Sequence, residues 1–404
     1  MPHYTMRDFT SPDLKQQPLP VLKELRTTAP LYRFAMPNGQ HAWMVTRYDD
    51  VLALIKDPRI VKDIRRVLPP ESAANVVSRS AALSLRRFHM LASDPPDHTR
   101  LRRLVSTVFT PRMIEQWRPR IQHITDELLD QVQAQGQMDL ISDFAFPLPI
   151  TVICEMLGVP VEDRLKFRVW STAFLDRSGL FHADAEEPPE LGEFVRYLQA
   201  LMQEKRERPD DRLVSQLVRV EEAGDTLAEH ELCSMIFLLL VAGHETTVNL
   251  IGNGVLELLR HPDQWRTLQA DPSLVGTAVE ELLRYTSPVM VGTGRWASED
   301  IEMHGTVIAQ GDMVWISLLA ANTDPEYFSA PEELDITREE NEHLAFGKGI
   351  HYCLGAPLAR LEGQIALDTL VRRVPDLHLK VQPEELRWRP GLLMHGLQAL
   401  PVAF

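Results

Sequence analysis

Residues His343–Arg360 read HLAFGKGIHYCLGAPLAR, with three glycines and one cysteine set between two helix-compatible segments. Gly347, Gly349 and Gly355 permit tight turns and close approach to a bulky partner, and Cys353 lies at the centre of that permissive loop. From Ala356 the apolar spacing becomes helical, which puts Cys353 just before a helix N-terminus. Unpaired N–H groups and the positive end of the helix dipole favour a thiolate over a thiol there. A thiolate in a glycine-rich cradle, with His351 close before it, is a way for a protein to ligate haem iron through sulfur. The plainer reading of a lone cysteine is an inert small hydrophobe, and that is the expectation for Cys154 and Cys233. The loop is not a dinucleotide site, since G-x-G-x-x-G needs glycine where Tyr352 stands. It is not c-type haem attachment either, which needs C-x-x-C-H.

The 404 residues carry 42 basic and 57 acidic side chains, a net charge of −15. That balance argues against a general nucleic-acid or membrane-surface binder, so any basic docking patch is local. Three cysteines in so long a chain leave no disulfide framework and fit a reducing cytoplasm. The N-terminus lacks an apolar leader segment, and no run reaches the roughly 18 apolar residues of a membrane helix; the longest, Met235 to Gly243, breaks at His244 and Glu245. A soluble, cytoplasmic protein without membrane insertion is expected.

In chain order, Leu31 to Phe34 and His41 to Val45 flank Asn38-Gly39 and read as a hairpin. A helix starts at Asp49 and stops before Asp57-Pro58, and Ile60 to Ser93 reads as a long surface excursion. His98 to Phe109 is helical and places His98 and Arg102 on one face. Helices dominate from Ile114 to Val220, and the acidic Ser178 to Glu190 reads as a mobile lid. Thr226 to Glu229 forms a capping box that opens a helix running to Arg260, on the order of 50 Å long. Its middle is apolar all round until His244, Glu245, Thr246 and Thr247, and an acid in a buried helix is costly unless used or paired. Ala242, Gly243 and Thr246 share a face, giving a flat approach beside a hydroxyl; alternatively the hydroxyl bonds the Ala242 carbonyl and bends the helix. A zinc-protease H-E-x-x-H fails at Val248. Glu281 and Arg284 are helical neighbours, and most such pairs are weak surface bridges. Glu302 to Ser317 reads as β-structure with turns at Gly305 and Gly311, and Leu377 to Val381 and Gln398 to Val402 as short strands. The 51 residues after Cys353 are too few for a flavin or nicotinamide domain, so electrons are expected from outside.

Phe346, Gly349, Cys353 and Gly355 together resemble the haem-binding signature F-x-x-G-x-x-x-C-x-G of the cytochrome P450 superfamily. Matches run from His98 to Gly355, and VEELLRYTSP and FGKGIHYCLGAPLARLEG look most like the soluble bacterial branch that tailors polyketides and macrolides. The resemblance implies a mainly α fold with minor β (α+β), one triangular domain over residues 1–404, and haem b held by Cys353 as axial iron ligand. It implies propionate partners in His98, Arg102, Arg295 and His351, with Ala242 and Gly355 also against the cofactor. It gives Thr246 the bound oxygen, Glu245 a proton relay, and Glu281, Arg284 and Arg338 a buried structural clamp. Leu239, Val289, Val291 and Leu393 are the expected pocket wall, with Val241, Leu392 and parts of Leu83 to Leu91. Asn322-Thr-Asp-Pro325 departs from the common N-R-D-P, and Leu334 stands where phenylalanine is usual.

The implied activity is monooxygenation of a hydrophobic small molecule (polyketide or macrolide, fatty acid, terpenoid or steroid) by a monomer. It would use O₂ and electrons from a ferredoxin or flavodoxin served by a separate NAD(P)H reductase. Arg100, Arg103, Arg112, Lys348 and Arg360 are candidates for the patch that meets such an acidic partner. The alternatives are an H₂O₂-dependent peroxygenase and a haem sensor or carrier without catalysis.

Overall fold

The computed structural model describes residues 4–36, 41–69, 85–164, 166–167, 169–171, 189–222 and 224–404. Short helices α1 (Met6–Thr10), α2 (Pro12–Gln16) and α3 (Pro18–Thr28) lead into β1 (Leu31–Ala35) and β2 (His41–Val45). These two strands pair antiparallel from Leu31↔Val45 to Ala35↔His41, as the alternation around Asn38-Gly39 predicts, although that dipeptide lies outside the described residues. After α4 (Tyr48–Lys56) comes β3 (Ile60–Val61), then α5 (Asp97–Val108), α6 (Pro111–Gln116), α7 (Arg118–Gln133) and β4 (Gln137–Asp139). A wide turn leads to α8 (Pro147–Leu157); α9 (Pro189–Glu207), α10 (Leu213–Arg219) and the ribbon β5 (Glu221–Glu222)–β6 (Asp225–Thr226) precede the central helix α11 (Glu229–Arg260). Then follow α12 (Pro262–Ala270), α13 (Val275–Thr286), β7 (Arg295–Ala297), β8 (Ile301–Met303), β9 (Thr306–Ile308), β10 (Met313–Ile316) and α14 (Leu318–Asn322). The cysteine loop feeds α15 (Ala356–Arg373), and β11 (His378–Leu379) and β12 (Pro401–Ala403) close the chain.

The architecture is mainly α with minor β. The larger sheet runs β1-β2-β10-β7-β3, and a second, β11-β12-β4, ties the chain's end to its middle. β4 was not expected within the helical stretch Ile114 to Val220; its three residues are too few for a pattern of their own and depend on β12 for pairing. The expected lid, Ser178 to Glu190, lies outside the described residues except for Pro189 and Glu190, which are the first two residues of α9.

α11 has 32 residues, about 48 Å at 1.5 Å per residue, and packs on α8, α9, α13 and α15. Its capping differs from the expectation. Ala228 is the N-cap and its N–H donates to Glu231 Oε2 at 2.9 Å, while Thr226 is taken up by the β5–β6 ribbon. Two helical segments, Leu140–Leu157 and Glu229–Arg260, are long and apolar enough to cross a membrane, contrary to the sequence count, but 78% and 83% of their apolar windows are buried inside the fold. They are core helices by their surroundings.

Under the helical layer, Arg284 donates to Glu281 at 2.8 and 2.7 Å, and Arg338 Nε donates to the same carboxylate at 3.1 Å. Asn341 Nδ2 and the Asp335 N–H add to it, each at 3.1 Å. The unusual Thr323 is compensated from α3: buried Arg26 donates to the Ala320 carbonyl and Thr323 Oγ1 and lies 3.7 Å from Asp324.

Candidate functional site

The cysteine loop is wound as its glycines require. Gly347 and Gly349 have φ of +68° and +69°, a conformation that a side chain resists. Gly355 does not, and a Cβ there would make only ordinary contact with Cys353 Sγ, at 3.9 Å, so within the protein alone neither backbone nor packing requires a glycine at that position. The Cys353 N–H donates to Phe346 O at 2.9 Å, fixing the sulfur just ahead of α15. Burial pushes the Cys353 thiol up, opposed by the N–H groups of Gly355 and Ala356 and by Arg102 and Arg360. The helix-terminus donors expected from the sequence are present, but desolvation outweighs them in the protein alone.

Above this loop lies a crowd of buried cations. His98 on α5 is 3% exposed, neither ring nitrogen has a hydrogen-bond partner, and its ring lies 4.4 Å from that of His351. Arg295 on β7 and Lys62 after β3 are buried and brought side by side by the β3–β7 pairing. Lys62 Nζ donates to the carbonyls of Thr293 and Gly294, and Arg295 Nη1 donates to Thr293 at 3.0 Å. His89, 6% exposed, has an unpartnered Nδ1. Burial lowers all of these groups, and repulsion from neighbouring cations adds to it at His351, His89 and Lys62: His351 falls to about 2, His89 to about 4, Arg295 to about 10, and Lys62 and Arg102 are lowered. Among the described residues the one acid facing Lys62 and Arg295 is Asp94, and it already accepts from the N–H groups of Lys62 and Asp63. Such a cluster wants an anion with more than one carboxylate. Lys62 and His89 escape sequence reading because each stands alone in its local run; only the strand pairing brings Lys62 to Arg295.

On the helix side, every α11 residue from Leu232 to Leu256 is buried except Ala242, Gly243 and Thr246. Ala242 is exposed one turn from Thr246, whose Oγ1 donates to Ala242 O at 3.1 Å. Gly243 does not share that face: a Cβ there would come within 3.1 Å of Ile153, so its role is to admit α8. Glu245 is buried and paired with Arg389. Of the expected pocket residues, Val289 bridges Met394, and the N–H groups of Met290 and Val291 donate to Leu393 O at 2.8 and 3.4 Å, so the two runs form one wall. Leu239 stands on α11 two turns before Thr246, and Val291 is 1% exposed. Of the docking candidates, Arg100 is committed to Asp225 and Glu231, and Arg360 to Glu280, so their charges are neutralised; Arg103 and Arg112 are exposed.

Fold and site describe a mainly helical protein shaped to accept a flat, dianionic prosthetic group, and the two propionates of a haem suit the cation cluster. The family model for cytochrome P450 matches residues 190–396. Cytochrome P450 CYP107DY1 of Priestia megaterium is 50% identical over 100% of this chain and 100% of its own length. The polyketide biosynthesis cytochrome P450 PksS of Bacillus subtilis is 45% identical over 97% of this chain and 96% of its own. The solved structure of PksS superposes with a TM-score of 0.90 at 44% identity, covering 100% of this chain and 99% of that one. That of myxobacterial CYP267B1 in complex with myristic acid gives 0.90 at 45% identity over 99% of each chain. The chain therefore belongs to the cytochrome P450 family: an oxidoreductase that incorporates molecular oxygen, with haem as cofactor.

Proposed function

We propose that this protein inserts one atom of O₂ into a C–H or C=C bond of a hydrophobic small molecule, with Cys353 as the axial ligand of haem iron. The observation that carries the reading is Cys353 in its N–H cradle beside a buried cluster of cations faced, among the described residues, by a single acid, Asp94, that is already taken up by backbone N–H groups. His98, Arg102, Arg295 and His351, joined by Lys62 and His89, hold the propionates; Ala242 and Gly355 leave room for the macrocycle. Bound haem supplies O–O cleavage and oxygen transfer, favoured by electron density from a thiolate ligand. The balance is RH + O₂ + 2 e⁻ + 2 H⁺ → ROH + H₂O, so the chain has to admit electrons on the cysteine side and protons on the α11 side. Thr246 holds a proton at its hydroxyl beside the reacting oxygen, and Glu245 exchanges protons with solvent. That pair favours the O₂-driven route over a peroxygenase or a carrier. The clamp of Glu281, Arg284 and Arg338 keeps the layer beneath the site in place.

The wall of Leu239, Val289, Val291 and Leu393 is apolar and suits a hydrophobic substrate. A polyketide or fatty-acyl chain is the class favoured, in keeping with a relative named for polyketide biosynthesis and a neighbour crystallised with myristic acid. The remaining parts of the reading are a monomer of one domain spanning residues 1–404, in the cytoplasm, reduced by a ferredoxin or flavodoxin and its NAD(P)H reductase. The test is the visible spectrum of the dithionite-reduced protein under carbon monoxide. A strongly red-shifted Soret band, lost in Cys353→Ser, is expected; a band at the position of a histidine-ligated haem, or no haem on folded protein, overturns the reading.

A further inference from the structure

The loop that carries Leu393 is folded back on itself: Trp388 bridges Leu397, and the Arg389 N–H donates to Gly396 O at 2.9 Å. Three neighbours hold it. The chain after α13 receives it through the bridge of Val289 to Met394 and through the His395 N–H, which donates to Pro288 O at 3.0 Å. From α11, Asn253 Nδ2 donates to His395 O at 2.7 Å, and Asn249 Oδ1 lies 2.1 Å from where a Cβ on Gly396 would stand. The third neighbour is the N-terminal segment. The Gly391 N–H donates to Thr10 O at 3.1 Å, Lys15 Nζ donates to Met394 O, and His395 Nε2 faces Lys15 O at 3.0 Å. Leu392 is 8% exposed in one apolar cluster with Met6 and Phe9, whereas Leu393 beside it is half-buried.

Lys15 is the odd member of this contact. It lies on the five-residue helix α2 with 0% exposure, and among the described residues its Nζ donates to one atom, Met394 O. Burial and the nearby Arg389 push its pKa down to about 8, against the attraction of Glu245. An apolar side chain of the same length would fill the space without that desolvation; what it could not do is donate to a carbonyl. His395 is no substitute. Its ring faces Thr286 O as well as Lys15 O, each at 3.0 Å, burial lowers its pKa, and a neutral imidazole donates to only one of the two. The lysine is thus the charged tie between the N-terminal segment and the residue next to Leu393.

We propose that Lys15 is a positioning residue for substrate selection: its ammonium, fixed by the N-terminal segment, holds the Met394 carbonyl and so sets how far Leu393 projects into the pocket. The proposal rests on reading Leu393 as part of the pocket wall of a haem monooxygenase. Through this tie, helices at the start of the chain act on which substrate tail the pocket accepts.

The test uses the holoenzyme and two iron-binding azoles, imidazole and 1-dodecylimidazole, titrated by the shift of the Soret band. Imidazole reports the iron site alone, and the ratio of the two Kd values, the tail preference, reports the wall against which the alkyl chain lies. Wild type is compared with Lys15→Met, Leu393→Ala and the double variant K15M/L393A. Lys15→Met is expected to lower the tail preference about threefold, and the double variant to fall no further than the lower of the two single variants, because residues acting through one contact are not additive. The imidazole Kd and the carbon monoxide spectrum of Lys15→Met stay at their wild-type values. A Lys15→Met enzyme with the wild-type preference, a loss shared equally by both azoles, or losses that add in the double variant overturns the proposal. Hydrogen exchange of the wild type carries the test should Lys15→Met fail to fold: 1-dodecylimidazole should slow the amides of residues 4–17 together with those of 387–398, and slowing of the loop alone overturns the proposal. If Leu393→Ala itself keeps the wild-type preference, the pocket reading falls as well; if Leu393→Ala lowers it and Lys15→Met does not, the proposal alone falls.

Discussion

Lys62 and His98 define the site at the scale of single residues, because each presents a polar group to a place where water does not reach. Lys62 is 5% exposed and bonded only to neutral oxygens, and His98 has two unpartnered nitrogens. A pair of propionates held there, as proposed, would convert both liabilities into charge-assisted hydrogen bonds. Lys62→Met and His98→Ala should each speed haem transfer to excess apomyoglobin by about tenfold, one tenfold step being about 1.4 kcal/mol. Transfer at the wild-type rate would show that the propionates sit elsewhere. Glu362 is a different case: it is 0% exposed on α15, and burial, opposed by Thr247, raises it from 4.5 to about 8. Below pH 4.5 the carboxyl is protonated in folded and unfolded chains alike. Between pH 4.5 and about 8 only the folded chain keeps the proton, so stability falls as pH rises, by at most about 1.4 kcal/mol per pH unit. Glu362→Gln should therefore match the wild type in urea denaturation near pH 4.5 and exceed it at pH 8; equal midpoints at both pH values would refute this.

At the scale of elements, the clamp under the haem layer is the sharpest case of function resting on structure. Glu281 sits on α13 with 0% side-chain exposure and receives two guanidinium groups, from Arg284 at 2.7 Å and Arg338 at 3.1 Å. Removing the shared acid strands two cations in the interior, and breaking a buried pair in that way costs about 3–5 kcal/mol. Glu281→Ala should lose stability of that size in urea denaturation and release haem as it unfolds; a loss under about 1 kcal/mol, the worth of a surface bridge, would place the clamp in solvent. The spacing of this pair was legible in the sequence, but three residues on one helix read only as a surface bridge, and its burial was expected from the family resemblance alone; the cysteine loop was legible because its glycines and sulfur fall within one short stretch. What was not legible depended on pairing between distant elements. Thr226 looked like an N-cap but is drawn into a ribbon, Gly243 looked like part of the cofactor face but faces Ile153, and Lys62 gains meaning only once β3 meets β7. Arg389 belongs with these, since its partner Glu245 is 144 residues away.

At the scale of the whole molecule, a net charge of −15 sets the terms on which an electron donor approaches. A ferredoxin is itself acidic, so at long range the two bodies repel, and productive docking needs a local reversal of sign. Arg100 and Arg360 do not provide it, since each is neutralised by acids of its own chain. Arg112 is exposed at the start of α6, and on the cysteine loop itself Lys348 is half-buried and Ile350 is 52% exposed, which leaves a basic and an apolar side chain within five residues of Cys353 in sequence. Charge there acts over about 8 Å at physiological ionic strength, which confines its effect to partners already close. Arg112→Glu and Lys348→Glu should therefore raise the ferredoxin KM several-fold while leaving the carbon monoxide spectrum and the H₂O₂-supported rate as they were. Salt should narrow the gap between each variant and the wild type, because screening weakens the lost attraction along with the added repulsion. A variant whose ferredoxin KM stays at the wild-type value across the salt range would show that electrons enter through another face, and that the crowding of positive charge near Cys353 serves the propionates alone.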